Sequence, residues 1–253
     1  MKEKYIPGVY NYCDRWCERC SLTTRCRNFE STSKLSSDQL DINNKAFWDT
    51  IAGNMQQAME LLHKSAAEHG FDLSKGMTKE EEEAYEQQEQ LIKTKVKAHQ
   101  FSKLCKQYED LTIPFVKNSE GMVDKVRQLV SHLHMGITNE EDVVYTVADM
   151  NDFFEIIQWY LFFIDTKLKR ALRGKLEDDG WEEENGFQKD SDGSAKIALI
   201  GIDRSMGAWQ GLHNKIPSCE DTALEALALL SKLKRIALEE FPKAMEFKRP
   251  GFD

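Results

Sequence analysis

The stretch NDFFEIIQWYLFFIDTKLKRAL (151–172) sets the first limit on how this chain folds. Wound as a helix it is apolar on nearly every side, so it has to be wrapped by other elements. Its most apolar part, FFEIIQWYLFFI (153–164), is about twelve residues long and contains Glu155 and Gln158. A bilayer crossing takes roughly twenty apolar residues, so a central core helix is expected here and no membrane span. The cover is expected to be helical too. The chain has five prolines in 253 residues and no long alternation of apolar and polar positions that would mark strands.

Residues 44–69 place Phe47, Ile51, Met55, Ala58 and Leu62 at helical spacing and stop at Gly70. A second helix is predicted from the cap Thr78 to just before Pro114, with an acidic first part that suits a helix N-terminus. A third covers about 119–134 and ends before Gly136, and the region 139–173 is one long helix or two joined near Asn151. The acidic, Gly-containing stretch 175–194 reads as a loop. SAKIALIGIDRSMGAWQGLHN and CEDTALEALALLSKLKRIALEEF give two more helices separated by Pro217. The expected fold is all-α: a bundle of about six helices over residues 36–253, preceded by a Cys-rich metal-binding segment over residues 1–35.

That segment, NYCDRWCERCSLTTRCRNFE, crowds Cys13, Cys17, Cys20 and Cys26 into fourteen residues, while the rest of the chain holds only Cys105 and Cys219. The first twenty residues lack the apolar run of a secretion signal, so a cytoplasmic location with reduced thiols is expected. There a dense cysteine cluster holds a metal more readily than it forms disulfides. Thiolates are soft ligands that select zinc, Cu(I) or iron–sulfur clusters. Structural zinc sites draw their ligands from two short pairs split by a longer loop, whereas closely spaced cysteines from one loop wrap a [4Fe-4S] cluster. The spacing C-x3-C-x2-C-x5-C places a [4Fe-4S] cluster first and zinc second, against a bland reading of unmetallated thiols. Trp16 and Leu22 would shield such a centre, and Arg15, Arg19 and Arg25 would offset its negative charge.

CERCSLTTRC resembles the [4Fe-4S] segments of helix-hairpin-helix DNA glycosylases and of WhiB-like regulators, over about ten residues and in ligand spacing only. CDRWCERC also matches the three-cysteine pattern of radical-SAM enzymes, but their β/α barrel has no counterpart in a chain without strands. Over nearly its full length, through YCDRWCERC, DGSAKIALIGIDRSMGAW and RPGFD, the chain resembles a family of uncharacterised bacterial helical proteins. That resemblance implies one integrated protein and brings no activity with it.

A net charge of -9 and a pI near 5.3 argue against broad nucleic-acid binding, which rests on neutralising phosphates. Glu60 and His63 have the spacing used by di-iron bundles, but no second Glu-x-x-His exists to complete such a site. His132 and His134 suit the end of a helix, and Cys105 and Cys219 read as small buried residues. No Ser–His–Asp pattern, phosphate loop or dinucleotide-binding glycine pattern is present in the sequence.

Charged groups inside apolar helices are more informative. Glu155, Gln158, Asp165 and Lys169 follow one helical stripe, and Asp203 and Arg204 end the run AKIALIGI. Buried charges have to be paired or shifted in pKa. Glu155, Asp165, Asp203 and Arg204 are therefore expected to face the bundle interior, either as a salt-bridge network or as a polar ligand-binding pocket. Two functions follow: a redox or sensing protein with a protein redox partner, or a helical enzyme or ligand-binding protein whose cysteines hold structural zinc.

Overall fold

The computed structural model describes residues 4–73, 76–118 and 120–253. Among them are ten α-helices and no strand: α1 (Arg27–Ser33), α2 (Ser37–Leu40), α3 (Lys45–His69), α4 (Lys79–Ala98), α5 (Gln100–Lys117), α6 (Glu120–His134), α7 (Glu140–Glu177), α8 (Trp181–Glu184), α9 (Asp190–Lys215) and α10 (Glu220–Glu240). All-α holds, with more helices than the six expected. No helix among the described residues is long and apolar enough to cross a membrane. The chain separates into two compact units. One comprises the residues up to Asn11 with Arg15–Gln90; the other comprises Tyr12–Asp14 with Leu91–Asp253.

In the first unit, α3 starts and stops where the sequence says. The Asn44 side chain accepts from Ala46 N at 3.0 Å, and Gly70 closes the helix in the left-handed region at φ 74°, where a Cβ is disfavoured. Its apolar residues are another matter. Ile51, Met55 and Leu62 are exposed, and Ala66 is the one buried residue of the helix. Helix α2 lies against α3, with Gln39 Nε2 donating to Thr50 Oγ1 at 3.1 Å.

The second unit is built on α7 and α9, joined by α8 and short loops. The region from Asn139 is one helix of 38 residues and does not break near Asn151. Gly201 lies opposite Tyr160 and Ile164, Gly211 opposite Phe153, and Gly174 opposite Ser191, so the two helices run antiparallel. Ser194, Ala198, Gly201, Ser205 and Ala208 recur at steps of four and three residues, and Ile157, Leu161, Ile164, Leu168 and Ala171 do the same on α7. All ten are buried. Small residues on one side let the two backbones approach and receive the large residues of the other. Each buried Leu or Ile contributes roughly 1.5–3 kcal/mol. Helix α10 packs on α9 and α5, and α5 packs on α7.

The expected helix from 78 to 113 is two helices. His99 takes an extended conformation and caps α5, its Nδ1 accepting from Phe101 N at 3.2 Å, while Ser102 Oγ donates to Val96 O at 2.7 Å. Pro114 does not end α5; Asn118 N donates to Pro114 O at 3.0 Å, one turn further on. In the stretch expected to be a loop, α7 continues to Glu177 and α9 already begins at Asp190.

Candidate functional site

The cysteine segment is built from tight turns. Cys17–Arg19 and Thr23–Arg25 form single 3-10 turns, and α1 starts behind Cys26. Arg15 takes the left-handed conformation at φ 58°, rare for a residue with a Cβ, and Cys17 N donates to Arg15 O at 3.0 Å. The result is a tight turn at Arg15–Cys17. None of the six cysteines is in a disulfide, and the four N-terminal ones are half-buried. Two of these sulfurs already accept backbone N–H groups, Cys20 from Leu22 at 3.4 Å and Cys26 from Phe29 at 3.5 Å. Trp16 is buried, with the Arg19 guanidinium 3.9 Å above its ring. The donor chemistry suits a thiolate metal centre. The assembled geometry is a different question: among the described residues, no three His, Cys, Asp or Glu side chains are gathered so as to hold a metal ion.

Tyr12, Cys13 and Asp14 belong to the second unit, and both neighbours of Cys13 are tied to its central helices. Tyr12 OH donates to Asp190 Oδ1 at 2.8 Å, and Arg170 Nη2 reaches the same oxygen at 2.7 Å. The Tyr12 ring lies over Gly193, where a Cβ would stand 2.4 Å from it. Asp14 Oδ2 accepts from Tyr160 OH at 2.6 Å and from Arg204 Nη1 at 2.5 Å, and Arg204 also donates to the Tyr160 hydroxyl. Trp159 Nε1 donates to Asp14 O at 3.0 Å. Burial, and then the adjacent carboxylates Asp190 and Asp14, push the Tyr12 and Tyr160 phenols well above the ordinary tyrosine range. Both therefore stay protonated donors.

The four charged residues expected in one interior do not share one. Glu155 is exposed. Asp203 is half-exposed and pairs with Lys234 of α10 at 2.7 Å. Arg204 is half-exposed and pairs with Asp14, which lies in the cysteine segment and not on a neighbouring helix. Asp165 alone is largely covered. It pairs with Lys169 one turn away at 2.6 Å, and its Oδ1 is buried without a well-formed hydrogen bond. Burial first, then Asp165, raises the Cys105 thiol far above its usual range, so Cys105 is inert. Two cavities in the second unit, of about 450 Å³ and about 250 Å³, are lined by other residues. The physical reason is helical geometry. Positions 155 and 165 lie ten residues apart on α7 and differ in what packs beside them, which a stripe drawn on one helix does not reveal.

The pairing of Asp14 with Tyr160 and Arg204 was not foreseen from the sequence, nor was Lys196. Its ammonium, on a side chain 8% exposed, donates to Phe247 O at 2.6 Å and to Asp253 Oδ2 at 2.7 Å. Arg249 and Lys196 together hold the Asp253 carboxyl far below the usual carboxylate range. The signals were present: Tyr and Asp flank Cys13, and Lys196 interrupts an apolar run. Glu60 and His63 are both exposed on α3, and Glu60 accepts from Gln56 Nε2 at 3.1 Å. Compared with known proteins, the chain matches no family model, no curated protein and no solved structure.

Proposed function

We propose that Cys13, Cys17, Cys20 and Cys26 bind one thiolate-ligated metal centre and that the chain works as a redox or sensing protein in the cytoplasm, acting with a protein redox partner. A [4Fe-4S] cluster fits the ligand spacing first and zinc second. The observation that carries the reading is four thiols within fourteen residues, none in a disulfide and two already accepting backbone N–H groups. A bound cluster would supply one-electron chemistry.

The chain's own residues do the positioning. Arg15 makes a tight turn just ahead of Cys17, and Tyr12 and Asp14 fix the chain on either side of Cys13. Because no three donors are gathered as the segment stands, binding has to draw the thiols together and order the loop with them.

Anaerobic purification with iron, acid-labile sulfide and zinc analysis tests the proposal. The expected result is a brown protein bleached by dithionite, with iron and sulfide in equal amounts. Replacing any one of the four with Ala should remove most of the metal, and Cys105→Ala and Cys219→Ala should leave it in place. A colourless protein carrying one zinc would move the function to a structural site. Metal retained by the quadruple variant would sink the assignment.

A further inference from the structure

We propose that the cavity between the end of α5, the start of α6 and the start of α10 is a binding site for an organic cation with an aromatic body. This site is independent of the metal segment. Its volume, about 450 Å³, falls within the range of roughly 300–1,000 Å³ typical of small-molecule sites. Its floor is apolar and aromatic. Phe115 and Phe154 stack with ring centroids 5.3 Å apart and planes 3° from parallel, and Phe115 also meets Trp209, tilted, at 4.9 Å. Trp209 is fully buried and hydrogen-bonded to Tyr108, so this wall is anchored in the core.

The rim sets the charge. Glu120 and Asp124 line the cavity, and among the described residues no Lys, Arg or His does. Asp124 shares its charge with Arg127 at 3.1 Å, but both side chains are exposed and such a pair is weak. Among the described residues, Glu120 accepts from an amide, Asn118 Nδ2, at 3.4 Å. Its carboxylate is the group that would meet an ammonium, while Leu111, Met122, Ile216 and the exposed part of the phenyl pair take the aromatic body. Gly121 lets the start of α6 come this close to the turn before α10; a Cβ there would stand 3.1 Å from Ser218 Oγ.

Three indoles of matched shape test the proposal by titration calorimetry on the full chain: tryptamine, its neutral alcohol tryptophol, and the anion indole-3-propionate. Tryptamine should bind one to one, at least tenfold more tightly than tryptophol, with no measurable binding of the anion. Glu120→Gln should weaken tryptamine at least fivefold and leave tryptophol unchanged. Thr222→Phe, which fills the rim beside α10, should abolish binding of both while circular dichroism stays as in the parent. Equal affinity for all three indoles would overturn the charge assignment. Tryptamine binding unchanged in both variants, or no saturable heat up to millimolar concentration, would overturn the site.

Discussion

Helices α3 and α9 are nearly the same length, 25 and 26 residues, and meet opposite fates. By composition α3 looks the better core helix, with Trp48, Ile51, Met55, Met59, Leu61 and Leu62 at its disposal. All six are exposed. Helix α9 carries Gly193, Ser194, Gly201, Ser205 and Lys196 and buries every one of them. The difference lies in how near a partner can come. A helix of small residues admits another backbone, and the large side chains of that partner fill the seam. A face of large residues gains nothing until something is laid over it.

Lys196 offers the hardest test of α9 as a core helix, because it places a charge inside. Removing one partner of a buried ion pair costs about 3–5 kcal/mol. Lys196→Ala should lower the denaturation midpoint accordingly, since Phe247 O loses its donor and Asp253 keeps only Arg249. A loss below about 1 kcal/mol, the scale of an exposed pair, would mean that the tail is not docked on α9.

The second effect depends on pH. Burial pushes the Tyr108 phenol from 10.0 up to about 12, against lowering by its hydrogen bonds, chiefly from Trp209. The folded chain keeps this proton while the unfolded chain loses it near pH 10. The contribution of this phenol is therefore fully present below pH 10 and is lost as pH rises to about 12, roughly 2–3 kcal/mol from this one group. Denaturant titrations across that window should show the slope, and Tyr108→Phe should reduce it by this share while Tyr12 and Tyr160, also raised, keep the rest. An unchanged slope in the variant would mean that other groups carry the effect.

The third contrast uses one substitution in both helices. A Cβ at Gly201 would lie 2.9 Å from the Tyr160 ring, which is held in place by Asp14 and Arg204. Gly201→Ala should destabilise by about 1–3 kcal/mol. At Gly53 in α3 nothing lies within 4 Å. Gly53→Ala should stabilise by up to about 1 kcal/mol, through helix propensity alone. Equal signs at the two sites would erase the distinction drawn between the helices.

These helices also show what the sequence reveals. Caps are local, so Asn44 and Gly70 give the ends of α3 correctly. Periodicity identifies an apolar face but not its cover, and Ile51, Met55 and Leu62, at helical spacing, are exposed. The first turn of α9 was hidden in an acidic stretch that reads as loop. The break at His99 has neither Gly nor Pro to announce it. At the candidate site the cysteines are plain in the sequence, whereas the partner of Arg204 lies 190 residues away at Asp14. No reading of α7 and α9 alone finds that pair.

Hydrogen exchange on metal-loaded and metal-stripped protein tests the proposal that a bound metal draws in and tightens the cysteine segment while leaving α9 unchanged. Stripping should release amide protection through residues 15–26 and leave α9 unchanged. Identical exchange in residues 15–26 with and without metal would contradict it, as would loss of protection in α9 to the same degree.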